Sequence, residues 1–145
     1  MTAEQMLLLL LGSGEAEGDL DPVRLQKTAF VMGERMRARG EEPPFEFKPY
    51  DYGPFSIDVC RTIDSLVARG LVETIDVPGR DWKQYRLTNS GRQVIVAAEI
   101  ATRWRMLAGR LHDWSIARPF RTLLQAVYKE FPEFAAKTKL PELTE

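Results

Sequence analysis

Between Pro54 and Gly91 the spacing of apolar residues switches from three-and-four to two and back again, and no other feature narrows the fold as far. Phe55, Val59, Ile63, Leu66 and Val67 recur at helical spacing, which predicts a helix over Pro54–Arg69 closed by Gly70. Leu71–Val77 is rich in β-branched side chains, Pro78–Asp81 carries turn residues, and Trp82–Leu87 places Tyr85 and Leu87 on one side. The two runs pair as a hairpin. Thr88–Gly91 then opens a long helix expected to reach about Leu111.

Upstream, Met6–Leu11 is an apolar run that reads as a core-facing first helix ended by Gly12, Ser13 and Gly14. An acidic connector, Glu15–Asp21, leads to a second helix. There Asp21 is the N-cap, Pro22 the first helical residue, and Leu25, Ala29, Met32 and Met36 one apolar face, with Gly40 as the stop. Glu41–Tyr52 sets Pro43, Pro44 and Pro49 among Phe45, Phe47, Tyr50 and Tyr52, which predicts an aromatic-pinned loop with a short strand at Phe45–Lys48. Pro119 begins the last helix, whose apolar face is Phe120, Leu123, Leu124, Val127, Tyr128 and Phe131. Pro141–Glu145 is expected to fray. The whole is read as one mainly α domain with a small β-hairpin. Its element order is that of a winged helix-turn-helix with extra N- and C-terminal helices, the wing at about 71–88 and the C-terminal helices at about 89–135.

Twenty basic residues against twenty-one acidic ones leave a net charge of −1, so no global positive field draws the chain to a polyanion and any nucleic-acid contact must be local. A single cysteine, Cys60, and a single histidine, His112, exclude a disulfide framework and a Cys- or His-based metal cage. The lone thiol points to a reducing compartment, the cytoplasm. Met6–Leu11 falls far short of the ~20 residues of a spanning helix, and the start carries Glu4 without Lys or Arg, so neither a membrane span nor a secretory signal is expected. Cys60 is expected to be a buried small side chain. With no paired carboxylates, nucleophile–base spacing or Gly-rich phosphate loop, no catalytic residue, metal or cofactor is assigned, and the reading is non-enzymatic.

The phrases Ile63–Val72 (I-D-S-L-V-A-R-G-L-V) and Tyr85–Gly91 (Y-R-L-T-N-S-G) resemble winged-helix regulators of the MarR and PadR kind. Three further phrases, Arg24-Leu25-Gln26-Lys27, Tyr50-Asp51-Tyr52-Gly53-Pro54-Phe55-Ser56 and Tyr128-Lys129-Glu130-Phe131-Pro132-Glu133-Phe134, resemble the YwgA-like bacterial proteins of unknown function over roughly Val23–Leu140. The Leu-Gln-Lys opening and the Gly-Pro turn are more distantly similar to Panacea or SocA-like antitoxin domains. The resemblance implies a winged-helix fold and a binding role. By analogy with such regulators, it also implies a homodimer joined through the C-terminal helices.

On the outward face of the third helix Arg61 and Arg69 stand among Asp58, Asp64 and Ser65. The hairpin tip adds Arg80, Trp82 and Lys83, and Ser56 lies at the helix start. Ser56, Arg61, Ser65, Arg69, Arg80, Trp82 and Lys83 are therefore the candidate DNA-binding residues, DNA-binding regulation being the first reading, although the aspartates oppose phosphate. Gly53-Pro54-Phe55-Ser56 also has a structural reading, in which Pro54 presets the first helical turn and Phe55 staples the loop. Arg103, Arg105, Arg110, Arg118 and Arg121 face one acid, Asp113, whereas residues 1–22 hold five acids and no base. These arginines are a candidate surface for an anionic partner, or else pair with the acidic N-terminal end. The alternative function, an antitoxin-like protein-interaction module, uses Phe47, Tyr50, Tyr52 and Trp114 for docking.

Overall fold

The computed structural model covers residues 1–145. Helix α1, Ala3–Gly12, starts at a capping box in which Thr2 accepts the Gln5 amide and Gln5 returns a bond to the Thr2 amide. Met6–Leu11 is buried all round, because α1 is enclosed by α2 (Pro22–Ala38) and by the C-terminal helices. Asp21 caps α2 as the sequence requires, accepting the Arg24 amide at 2.8 Å, and Leu25, Ala29, Met32 and Met36 are buried.

After α2 the chain forms a ribbon that the proline-rich segment only partly foretells. β1 (Lys48–Tyr50) pairs antiparallel with β2 (Gly53–Phe55), so the strand lies later than the expected Phe45–Lys48. Phe45 leaves the strand because it is needed in the core, where it is buried and meets Phe47 edge-on. Pro54 sits in β2, and α3 (Ile57–Ala68) begins three residues later than the expected helix start. The reason is that Gly53, at φ +88°, turns the chain back into a strand first.

Val59, Ile63 and Leu66 form the buried stripe of α3, while Phe55 is only half-buried. Gly70, at φ +73°, ends the helix. β3 (Val72–Asp76) and β4 (Lys83–Leu87) make the expected hairpin, with Val72 opposite Leu87 and both of these residues seated in the core. Leu20 adds a third, one-residue strand: its carbonyl accepts the Tyr85 amide at 2.9 Å. Helix, short strand, helix, helix and two-stranded wing follow in the order of a winged helix, with the β1–β2 ribbon inserted between its second and third helices.

The long helix expected to run to Leu111 is broken. α4 spans Asn89–Ala97, residues 98–101 are non-helical with Ala98 and Ala101 extended, and α5 spans Thr102–Ile116. No glycine or proline marks the break. Packing sets it: Ile95 and Trp104 are both buried, and the Arg105 guanidinium donates to the freed Ala98 carbonyl at 2.6 Å. α6 (Phe120–Glu130) closes the molecule with Leu123, Leu124, Val127 and Tyr128 buried. The terminal Pro141–Thr144 is a 3₁₀ turn rather than a frayed end, because Leu143 is buried against α6. No helix is long and apolar enough to cross a membrane.

Candidate functional site

The two most distinctive phrases of the sequence meet in space. Gln26 faces Ser56 across 30 positions, its Nε2 donating to the Ser56 carbonyl and its Oε1 accepting the Ser56 amide, both at 2.9 Å. One side chain thus serves both backbone groups of one residue, as a neighbouring strand would. Next to it Lys27, 3% exposed, donates its Nζ to the Pro54 carbonyl at 2.9 Å. Burial alone lowers the Lys27 amine to about 7. Arg24 looks the other way, donating to the carbonyls of Ser115 and Arg118 at 2.9 and 2.6 Å while its Nη1 pairs with Asp21. The Arg-Leu-Gln-Lys phrase is therefore a hub holding the start of α3, the ribbon and the end of α5 to one helix. Nothing in the sequence says that these residues meet; the one signal is a polar run, Gln26-Lys27-Thr28, inside a wholly buried stretch of α2.

Ser56 is 2% exposed, out of reach of a polyanion, and its Oγ has no hydrogen-bond partner. It stands at the N-cap of α3 without capping it. The remaining candidates on α3 and the wing, Arg61, Ser65, Arg69, Arg80, Trp82 and Lys83, are all exposed. Their charge is largely answered within the chain. Arg61 lies 3.5 Å from Asp58, Arg69 lies 2.8 Å from Glu4, and Lys83 lies 3.5 Å from Asp76. Arg80 instead stacks over Trp82, 5.1 Å from the ring centre.

The acidic N-terminal end forms no ion pair with the arginines of residues 103–121, although Glu15 lines one groove with Arg105 and Arg110. Glu4, Asp21 and Asp19 instead pair with Arg69, Arg24 and Arg86, the last through a two-pronged contact at 2.7 and 3.3 Å. Asp113 is committed to the connector, accepting the Glu15 and Ala16 amides. Arg121 pairs with Glu142, Arg105 and Arg118 donate to carbonyls, and Arg103 packs over Trp104. Arg110 is exposed and forms no ion pair.

Of the aromatic docking set, Phe47 is half-buried against Phe30, and Trp114 lines a separate groove with Val31 and Val127. Tyr50 and Tyr52 are exposed at 55% and 41%, as is Ile57 at 52%. Tyr50, Pro49, Phe55 and Ile57 line one groove of about 420 Å³ between the ribbon and the start of α3, rimmed by Lys48, Lys137, Glu46 and Asp58. Ile57, exposed at the start of α3, is the residue the aromatic reading missed. Cys60 is partly exposed rather than buried, its Sγ 3.5 Å from Gln26 Nε2, and burial and Asp64 push its thiol up. His112 is buried with Nδ1 2.7 Å from the Leu10 carbonyl. No three His, Cys, Asp or Glu side chains gather where a metal ion would sit. No protein-family model matches the chain, and no curated protein matches it.

Proposed function

We propose that the chain is a non-enzymatic, cytoplasmic binding module of winged-helix type that recognises a protein partner through the ribbon and the start of α3. The observation that carries this reading is the pairing of charge. Four of the five cations on α3 and the wing, all but Arg80, already have a carboxylate at 2.7–3.5 Å, while Tyr50 and Ile57 are exposed. Such a face offers a phosphate backbone little net attraction. It offers a protein an amphipathic aromatic anchor with charges of both signs at the rim. The likeness to YwgA-like and antitoxin-type domains belongs to this proposal.

The second reading, a DNA-binding regulator, is favoured by the wing tip, where Arg80 and Trp82 form an exposed cationic stack without a carboxylate partner. One experiment separates the two. A partner recovered from the native host is re-bound as a purified protein to the wild type, to the pair Tyr50→Ala with Ile57→Asp, and to the pair Arg80→Ala with Lys83→Ala. The protein reading expects at least ~10-fold weaker binding for the first pair only, the loss of one central anchor, and no retention of duplex DNA at low salt. Retention of duplex DNA, with a salt slope lowered by ~0.9 for each wing cation removed, would establish the second reading instead.

A further inference from the structure

Lys27 is the one lysine or arginine that the fold buries, and no carboxylate stands within ion-pair distance of it. Its single polar contact is the Pro54 carbonyl of β2. Its Cε lies against Gly53, where the Tyr128 ring and Leu124 of α6 also close in. A neutral amine fits such a place, whereas an ammonium needs water or a counter-charge.

We propose that Lys27 is a proton-operated latch, which as the neutral amine fastens the β1–β2 ribbon to α2 and as the ammonium favours a lifted ribbon where the charge reaches water. The groups around it leave the proton to Lys27. β2 brings no ionisable side chain. α6 brings Tyr128, which burial pushes up and which donates to Thr138 at 2.7 Å, so it stays neutral. From α3, Cys60 next to Gln26 is likewise pushed up. Asp51, in the ribbon's turn, is held by Lys139 at 3.3 Å. The ribbon has few other hydrogen bonds to α2: beside Lys27, the bonds between Gln26 and Ser56 secure its downstream end.

The direction follows from linkage. With the ribbon closed the amine titrates at about 7, and with the ribbon lifted it regains its ordinary value of 10.5. The lifted form therefore holds the proton more tightly, and the ratio of lifted to closed rises about tenfold for each pH unit lost between roughly pH 10 and 7, then levels off. This property belongs to the chain alone, so it stands or falls separately from the docking reading. Its consequence for that reading is that Tyr50 and Tyr52 ride on the latched element.

Hydrogen exchange tests it through two amides that report the ribbon, Ser56 N–H on Gln26 and Lys139 N–H on the Asp51 carbonyl. With intrinsic exchange divided out, the opening ratio in the wild type is expected to rise about 100-fold from pH 9 to pH 6, and in Lys27→Met to stay flat. An equal rise in Lys27→Met overturns the latch. Should that variant not fold, ¹⁵N titration of the Lys27 amine in the wild-type protein decides. A midpoint near 7 that coincides with the levelling of exchange supports the latch, and a midpoint near 10 overturns it.

Discussion

A glutamine that donates to and accepts from one backbone unit is hard to replace, because its removal strands two buried groups together. Each stranded group costs about 1–3 kcal/mol. Gln26→Ala is therefore expected to lower the unfolding free energy by about 3 kcal/mol in urea denaturation, whereas a surface polar side chain would cost little. Its partner behaves in the opposite way. An N-cap serine ordinarily contributes about 1 kcal/mol through its hydroxyl. Ser56 Oγ caps nothing and is buried without a partner. Ser56→Ala should leave stability unchanged or raise it by up to ~1 kcal/mol in the same measurement. A loss like that of an ordinary N-cap would mean that the hydroxyl has a partner the static fold conceals.

Glycines of two kinds set how the elements meet. A Cβ on Gly91 would collide with the Leu71 carbonyl oxygen, where α4 crosses the start of the hairpin, and backbone cannot step aside. A Cβ on Gly70 would meet nothing, so only its left-handed φ of +73° opposes substitution. Gly91→Ala is expected to cost at least about 3 kcal/mol and Gly70→Ala about 1 kcal/mol in thermal or urea unfolding. Equal losses would show that α4 and the start of the hairpin approach less closely at Gly91.

The features legible in the sequence share one property, which is that they are local. Asp21 with Pro22, Gly70, and Thr88 accepting the Gly91 amide each act within four residues, and the hairpin declares itself by its alternation. What stayed hidden depends on distant packing. The break at Ala98–Ala101 has no sequence breaker and is stabilised by Arg105. The ribbon replaces a helix start because Gly53 packs against Leu124 and Tyr128, and the Gln26–Ser56 contact joins segments 30 positions apart. The candidate surface was legible as a set of exposed side chains on α3 and the wing. It was not legible as a set of charges, because the carboxylates that answer Arg69 and Arg86 come from the other end of the chain.

Across the whole molecule, that pairing carries acids of the N-terminal end to cations of α3 and the wing. Glu4 and Asp19 travel from the acidic N-terminal segment to Arg69 on α3 and Arg86 on the wing, at 2.8 and 2.7 Å. Glu4, Arg69 and Arg86 are about half-exposed and Asp19 less so, so each pair contributes about 1 kcal/mol, and removing the acids should leave the fold intact. The consequence for binding is larger. Glu4→Gln with Asp19→Asn takes two negative charges from a net of −1 and frees Arg69 at the end of α3 and Arg86 on the wing. If internal pairing is what keeps this face from phosphate, the double variant acquires weak duplex-DNA binding at low salt that the wild type lacks. Its log K should fall against log salt with a slope of about −0.9 for each arginine engaged, a total near −2. Fluorescence anisotropy on a labelled duplex measures this directly. Wild-type binding as tight as the variant's would mean that the carboxylates do not mask the face, and the case for a protein partner over DNA would lose its electrostatic basis.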